Sequence, residues 1–229
     1  MREQKVLDHM IDLLPTTHWA EMEILSWLPE DNKLSVEFSF YDSSFGEVLI
    51  ANTSKGVCYL GVVKEERRSV LSDFEERFGY AKVCKVETSL QKIALDYLNG
   101  VMNRPLSFHL KGTPYQTTIW RRLLRIPYGK VISYATLAEN KKHARAAGTA
   151  NGRNPIFYLV PCHRVVYTNG KFDRYFWGKD IKTRLLAWEF ANSGCGGRGR
   201  FSDSHLPYDQ IKDDICCDDQ TTDKGNYDG

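Results

Sequence analysis

Ala144-Arg145-Ala146-Ala147-Gly148-Thr149-Ala150-Asn151-Gly152-Arg153-Asn154-Pro155 is followed, after Ile156-Phe157-Tyr158-Leu159, by Val160-Pro161-Cys162-His163-Arg164-Val165-Val166. The first string reads as a short helix of small residues. It stops at Asn154, because a residue before proline is pushed out of helical conformation. The apolar run Tyr158-Leu159-Val160 then reads as a buried strand that delivers Cys162 to the floor of a cleft. A free thiol with a pKa near ~8.5 is mostly protonated at neutral pH, and a nearby imidazole or guanidinium lowers that value. Cys162 is followed by His163 and Arg164, which is one way to build a soft nucleophile. A Cys in an apolar run is also how a packed core thiol looks. The wider surroundings decide between the two.

Upstream, residues 114–125 place Ile119, Leu123 and Ile126 on one helical face, and Pro127-Tyr128-Gly129 forms a turn. Ser133 fits an N-cap for a short helix over 134–139. The next helix, around 143–151, follows after only a few residues, giving a helix-turn-helix. Downstream, 180–190 is a last amphipathic helix. Nearer the start, 34–41, 47–52 and 56–63 are rich in Val, Ile, Tyr and Phe and punctuated by Asp42-Ser43-Ser44 and Ser54-Lys55-Gly56. They read as a three-stranded antiparallel meander, followed by helices at 65–78 and 90–102 and a short strand at 107–110. The expected organisation is an N-terminal helix and linker (1–33), an α/β lobe (34–111), a second, largely helical lobe (112–192) and an acidic disordered tail (193–229). The fold class is α+β.

Composition bounds the function. With 42% hydrophobic and 26% charged residues, the chain is an ordinary globular protein. No apolar run is long enough to cross a membrane, and no signal-peptide core follows Met1, so an intracellular protein is expected. Cys58, Cys84, Cys162, Cys195, Cys216 and Cys217 form neither a C-x-x-C pair nor zinc-finger spacing. Free thiols of this kind suit a reducing compartment. The net charge of +2 hides an asymmetry: residues 191–229 carry eight Asp against four Lys or Arg, which leaves residues 1–190 at net +6. A basic body is compatible with a polyanionic partner.

The string around Cys162 resembles the signature of the O6-alkylguanine-DNA alkyltransferases, the methylated-DNA–protein-cysteine methyltransferases. Gly112-Thr113-Pro114-Tyr115-Gln116, Trp120, Ile126-Pro127-Tyr128-Gly129, Ser133-Tyr134-Ala135-Thr136-Leu137-Ala138, Tyr175-Phe176-Trp177-Gly178 and Lys182-Thr183-Arg184-Leu185-Leu186-Ala187-Trp188-Glu189 fit that family in the same order. The resemblance runs from about residue 112 to 189, with weaker agreement back to about 35. It implies a ribonuclease-H-like first lobe, a winged-helix-like second lobe, and irreversible single-turnover transfer of a methyl group from O6-methylguanine in duplex DNA to Cys162; use of O4-methylthymine is left open by the sequence. It implies no cofactor and no metal. The expected partner is double-stranded DNA, gripped in the minor groove by a monomer that is cytoplasmic in a bacterium and nuclear in a eukaryote.

The resemblance also assigns roles. His163 is the base, acting through a turn or a bridging water, because neighbouring residues on a regular strand point to opposite faces. Glu189 orients His163. Asn154 is a hinge that braces the helix against the active-site loop. Val160 (carbonyl), Tyr175 (hydroxyl) and Phe176 (amide) cradle the flipped guanine, and Lys182 supports that loop. Arg145 fills the gap left in the base stack, and Tyr134 crowds the target phosphate and donates toward the departing purine. Ala144, Ala147, Gly148 and Arg153 belong to the DNA-facing helix. Three departures stand out. The connection between Ala138 and Arg145 is about three residues shorter than in most relatives, which would shorten or tilt the helix. Arg174 precedes the loop tyrosine. The bulky Phe176-Trp177-Gly178 would narrow the pocket and favour methyl over larger groups. Two other classes remain as alternatives: a DNA-damage binding module that does not transfer, whose known relatives lack the Cys, and a cysteine hydrolase, for which the sequence offers no Gly-rich nucleophile elbow.

Overall fold

The computed structural model describes residues 22–101 and 104–193. The expected N-terminal helix, placed before the linker within 1–33, falls in residues 1–21, which with the tail beyond Ser193 lie outside the described residues. Strand β1 (Met22–Ser26) leads through a 3-10 turn (Pro29–Lys33) into β2 (Val36–Ser43), β3 (Gly46–Thr53) and β4 (Gly56–Val62). Helix α1 (Arg67–Phe78), β5 (Val83–Lys85), α2 (Ser89–Leu98) and β6 (Leu106–Leu110) complete the first lobe.

The meander is present, with Phe38 opposite Ala51 and Ile50 opposite Leu60. It is only the middle of a six-stranded mixed sheet ordered β1-β6-β4-β3-β2-β5. The three-stranded expectation is corrected accordingly. Residues 22–26, read as linker, pair in parallel along their length with 106–110, so the sheet lobe begins before residue 34. At the other edge β5 pairs with β2, also in parallel. Every residue of β4 is buried, as expected of a strand covered on both faces. Its close approach to β6 requires Gly56, where a Cβ would lie 2.5 Å from the Ser107 carbonyl oxygen. A buried polar knot fastens this end of the sheet. Asp31 accepts from the Leu28 amide (2.8 Å) and Lys55 (2.5 Å) and pairs with His109 (3.0 Å), whose other ring nitrogen meets Thr53 at 2.8 Å.

In the second lobe, α3 (Pro114–Leu123) starts with proline at its first position. A reciprocal cap surrounds that start: Thr113 Oγ1 accepts from the Gln116 amide and Gln116 Oε1 from the Thr113 amide. Ile119, Trp120 and Leu123 face the core. β7 (Ile132–Ser133) runs into α4 (Tyr134–Ala138), capped by Ser133 Oγ on the Thr136 amide at 3.0 Å and ended by Glu139 at φ 57°. A 3-10 turn (Lys141–His143) fills the short connection to α5 (Ala144–Gly152). Despite that shortness α5 runs nine residues, seated on α3 by Trp120 Nε1 donating to the Ala150 carbonyl at 2.9 Å. A further 3-10 turn (Cys162–Arg164), β8 (Val165–Val166), which pairs with β7, and α6 (Lys179–Asn192) finish the lobe.

The predicted strand at 158–160 is not a strand. Tyr158 takes φ 59°, and two tight turns follow, Leu159 N to Phe157 O at 2.6 Å and Cys162 N to Val160 O at 2.7 Å. The run is apolar because it threads the core, all of it at or below 1% exposed, and burial alone does not specify strand geometry. The sheet still holds it. Leu60 of β4 donates to Pro155 O at 3.0 Å and accepts from Phe157 N at 2.8 Å.

Candidate active site

The loop between α5 and Cys162 is wrapped around one side chain. Asn154 Nδ2 donates to the carbonyls of Ile156 and Val160, both at 2.8 Å, and its Oδ1 accepts from the Ile156 amide at 3.0 Å. The irregular backbone is therefore fixed without strand or helix partners. Asn154, expected to brace this loop, lies at its centre. Val160, expected to offer its carbonyl to a base, is fully buried with that carbonyl already accepting from Asn154.

Cys162 is 3% exposed, and the Tyr175 hydroxyl lies 3.6 Å from its sulfur. Burial pushes the thiol above its usual range, while Asn154, Tyr175 and Lys182 pull it down again. The resting sulfur is a protonated thiol surrounded by groups that favour the thiolate.

Those groups stand beside a buried charge cluster. His163 Nε2 meets Glu189 Oε1 at 2.8 Å. Arg164 grips both oxygens of the same carboxylate, Nε to Oε2 at 2.8 Å and Nη2 to Oε1 at 2.9 Å, and places Nη1 on the Ile126 carbonyl at 2.7 Å. Gly129, at φ +70°, adds its amide to Oε2 at 3.2 Å. Burial by itself would raise the Glu189 carboxyl, but His163 and Arg164 outweigh it and hold the group at about 2. Burial also lowers His163, against the pull of Glu189, so the imidazole is neutral at physiological pH. With Nε2–H directed at the carboxylate, Nδ1 carries the free lone pair, and it is buried without a partner among the described residues. The Tyr158 ring stacks on the imidazole at 5.7 Å and 10°, a contact that its left-handed backbone permits. The predicted His163–Glu189 pair is present. Arg164, expected as a guanidinium flanking the thiol, is the third member of the cluster and is turned to the Glu189 carboxylate.

Across the sulfur, Lys182 is fully buried, its Nζ 2.6 Å from the Val165 carbonyl oxygen and 4.7 Å from the Phe172 ring centroid. Burial brings its pKa down to about 8, and Cys162 acts the other way. Trp177 is buried against Phe157 and Tyr59, and Phe176 lies edge-on to it, 45% exposed with the Arg77 guanidinium over its ring. Much of the bulk of this loop packs on the first lobe.

Tyr134, half-buried at the start of α4, faces Tyr167 at 5.5 Å. Burial raises its hydroxyl to about 12. The outer face of α5 presents Arg145, Ala146, Thr149, Gly152 and Arg153, while Ala144 and Gly148 are half-buried. Ala147, expected among the DNA-facing residues, is fully buried with Ala150 and Asn151. Small residues on every side of this helix gave the sequence no way to tell its faces apart. Arg77 of α1 donates to the Arg153 carbonyl at 3.2 Å, a tie between the lobes that the sequence did not signal. No group of three His, Cys, Asp or Glu side chains suited to a metal ion occurs among the described residues.

Residues 114–191 match the family described as 6-O-methylguanine DNA methyltransferase, DNA binding domain. A methylated-DNA–protein-cysteine methyltransferase of Methanosarcina acetivorans is 36% identical over 163 residues, spanning 66% of this chain and 97% of its own. The chain belongs to the methylated-DNA–protein-cysteine methyltransferase family. Within that family the inducible methyltransferase of Bacillus subtilis is 31% identical over 182 residues, covering 76% of this chain and 91% of its own. Among solved structures, Mycobacterium tuberculosis OGT in complex with DNA superposes with a TM-score of 0.55 at 28% identity, covering 69% of this chain and 94% of the other. The methyltransferase fold seen here is thus an α+β arrangement in which a mixed sheet and a helical lobe jointly hold the loop carrying Cys162.

Proposed function

We propose that this chain repairs O6-methylguanine in duplex DNA by direct reversal, taking the methyl group irreversibly onto Cys162. The observation that carries the reading is the buried Cys162 thiol, with the Tyr175 hydroxyl 3.6 Å away and the His163–Glu189 pair at 2.8 Å beside it, below a helix whose outer face is arginine and small residues.

DNA approaches α5 through the minor groove, a space about 6 Å wide in B-form duplex. Arg145, Ala146 and Thr149 fit it because they are narrow or extended. The damaged nucleotide rotates out of the stack, which is how enzymes reach an atom buried in duplex, and Arg145 occupies the space it leaves. The flipped purine sits between Tyr134, Tyr175 and the 174–178 loop, with the Phe176 amide toward O6. His163 Nδ1 takes the Cys162 proton through one bridging water, and Glu189, held in place by Arg164, balances the imidazolium that forms, although the Arg164 charge itself opposes it. Asn154, Tyr175 and Lys182 stabilise the thiolate for the moment of attack. Sulfur forms its bond to the methyl carbon as the carbon–O6 bond breaks in line. The electron pair stays on the purine, which gains a proton from Tyr134. S-methylcysteine has no route back, so each molecule acts once, and no cofactor enters the displacement. The monomer suffices for this chemistry, and O4-methylthymine, with the same methyl-to-oxygen linkage, is a second substrate.

The test is incubation with a duplex carrying O6-methylguanine labelled in the methyl group. Label is expected on the protein, at no more than one equivalent. Binding without label would make the chain a damage-binding module, and labelled methanol released with turnover would make it a hydrolase.

A further inference from the structure

The inner face of α5 carries one polar side chain that the chemistry above leaves unused. Asn151 is 5% exposed, and it belongs to the same helix whose outer face faces DNA in the reading above. We propose that Asn151 is a positioning residue for the proton donor. Its amide holds the Tyr134 phenol oxygen, so that the hydroxyl's own hydrogen turns toward the departing purine, and the same amide ties the Cys162 carbonyl to the DNA-facing helix. This rests on the methyl-transfer reading and adds the group that aims its acid.

The geometry is local to one turn of α5. The Tyr134 ring lies against Gly148, where a Cβ would meet two ring carbons at 3.6 and 3.7 Å. Asn151 follows three residues later, on the same side of the helix, which places its amide at the hydroxyl end of the ring. Asn151 Nδ2 donates one hydrogen to the Cys162 carbonyl at 3.2 Å. An amide nitrogen carries two, and in this proposal the second goes to the Tyr134 oxygen, whose acidity Asn151 raises. The reverse orientation of the amide would set Oδ1 against the Cys162 carbonyl, acceptor against acceptor, so the nitrogen faces inward. Oδ1 is left buried without a partner among the described residues. The effect on Tyr134 follows: burial raises the phenol, and the Asn151 hydrogen bond works against that rise. A phenol oxygen that accepts a hydrogen bond gives up its proton more readily, and its own O–H must point away from the donor.

The step balances without any added reagent. The sulfur–methyl bond forms as the methyl–O6 bond breaks, and the purine keeps the electron pair and takes the Tyr134 proton. The phenolate regains the equivalent proton that Cys162 surrendered through His163.

The test is a double-mutant cycle with O6-benzylguanine as the free substrate, which needs no DNA and so reads the pocket alone. Asn151→Leu keeps similar volume and removes the donor. It should lower the maximal single-turnover rate about tenfold or more, a part of the roughly 10²–10⁴ that a positioned acid supplies, with half-saturating concentration changed less than about twofold. In a Tyr134→Phe background the same substitution should change the rate by less than about threefold, because there is no proton left to aim. An undiminished loss in that background would overturn the proposal, since Asn151 would then act through the Cys162 carbonyl or through folding alone. Asn151→Asp covers the case in which the leucine variant folds poorly: a carboxylate accepts from Tyr134 and turns its hydrogen the wrong way. Its rate should fall at least as far, and a near-normal rate would also overturn the proposal. Absence of a methyl group from Cys162 after the unmodified protein meets duplex bearing methyl-labelled O6-methylguanine would instead remove the methyl-transfer reading itself.

Discussion

Replacing Glu189 with Gln isolates the charge that organises the base side of the site. The carboxylate meets His163 at 2.8 Å, Arg164 at 2.8 and 2.9 Å and the Gly129 amide at 3.2 Å. Both it and Arg164 are 1% exposed. The amide therefore leaves a buried guanidinium facing a neutral group, and removing one partner of a buried pair costs about 3–5 kcal/mol. A second route gives a similar size. A carboxyl that ordinarily titrates near 4.5 is held at about 2, and at about 1.4 kcal/mol per decade this is ~3 kcal/mol. For a chain of this length that loss lowers Tm by about 6–20 °C. The sign with pH follows from the depressed folded-state value: the stabilisation is full above pH 4.5 and is lost as pH falls toward 2. Thermal unfolding of both proteins at pH 7, 5 and 3 should show a wide gap at pH 7 that closes toward pH 3. A gap absent at pH 7, or one unchanged at pH 3, would refute the reasoning.

Arg145→Ala should slow repair of duplex at least about tenfold more than reaction with free O6-benzylguanine, because only an extruded nucleotide leaves a gap costing a few kcal/mol. Both are measured as single turnovers at fixed salt, and equal losses on the two substrates would place Arg145 in the pocket rather than the stack. Tyr175→Phe removes the hydroxyl 3.6 Å from the Cys162 sulfur, a hydrogen bond worth about 1 kcal/mol. Alkylation of Cys162 by iodoacetamide at pH 8 should then slow by about threefold to tenfold, and an unchanged or faster rate would show that Tyr175 does not stabilise the thiolate.

The helical lobe was largely legible because its signals are local. Pro114 with the Thr113–Gln116 pair, Ser133 before Tyr134, and Asn154 before Pro155 each mark a helix end within a few residues, and the structure places ends at or near all of them. The sheet edges were not legible. Met22–Ser26 is a strand only because Leu106–Leu110 lies beside it, and Val83–Lys85 has both its outer residues exposed. The site divided in the same way. Cys162, His163 and Glu189 were found through an ordered family pattern, whereas nothing near Arg164 in the chain announces that its partner stands 25 residues away. The 158–160 run misled because complete burial looks alike in a strand and in a turn held by Asn154. Asn151 and Ala147 sit one helical turn apart on the buried side of α5, a distinction erased by alanines on all sides.

The central claim is that one sulfur receives the methyl group. Unmodified protein and Cys162→Ser, incubated with duplex bearing methyl-labelled O6-methylguanine and digested, are read by peptide mass spectrometry. The account predicts a single methyl on the peptide containing Cys162, and none anywhere in the serine variant, which still binds the duplex. A methyl group on Cys58, Cys84 or any other residue, or transfer that survives Cys162→Ser, would contradict it.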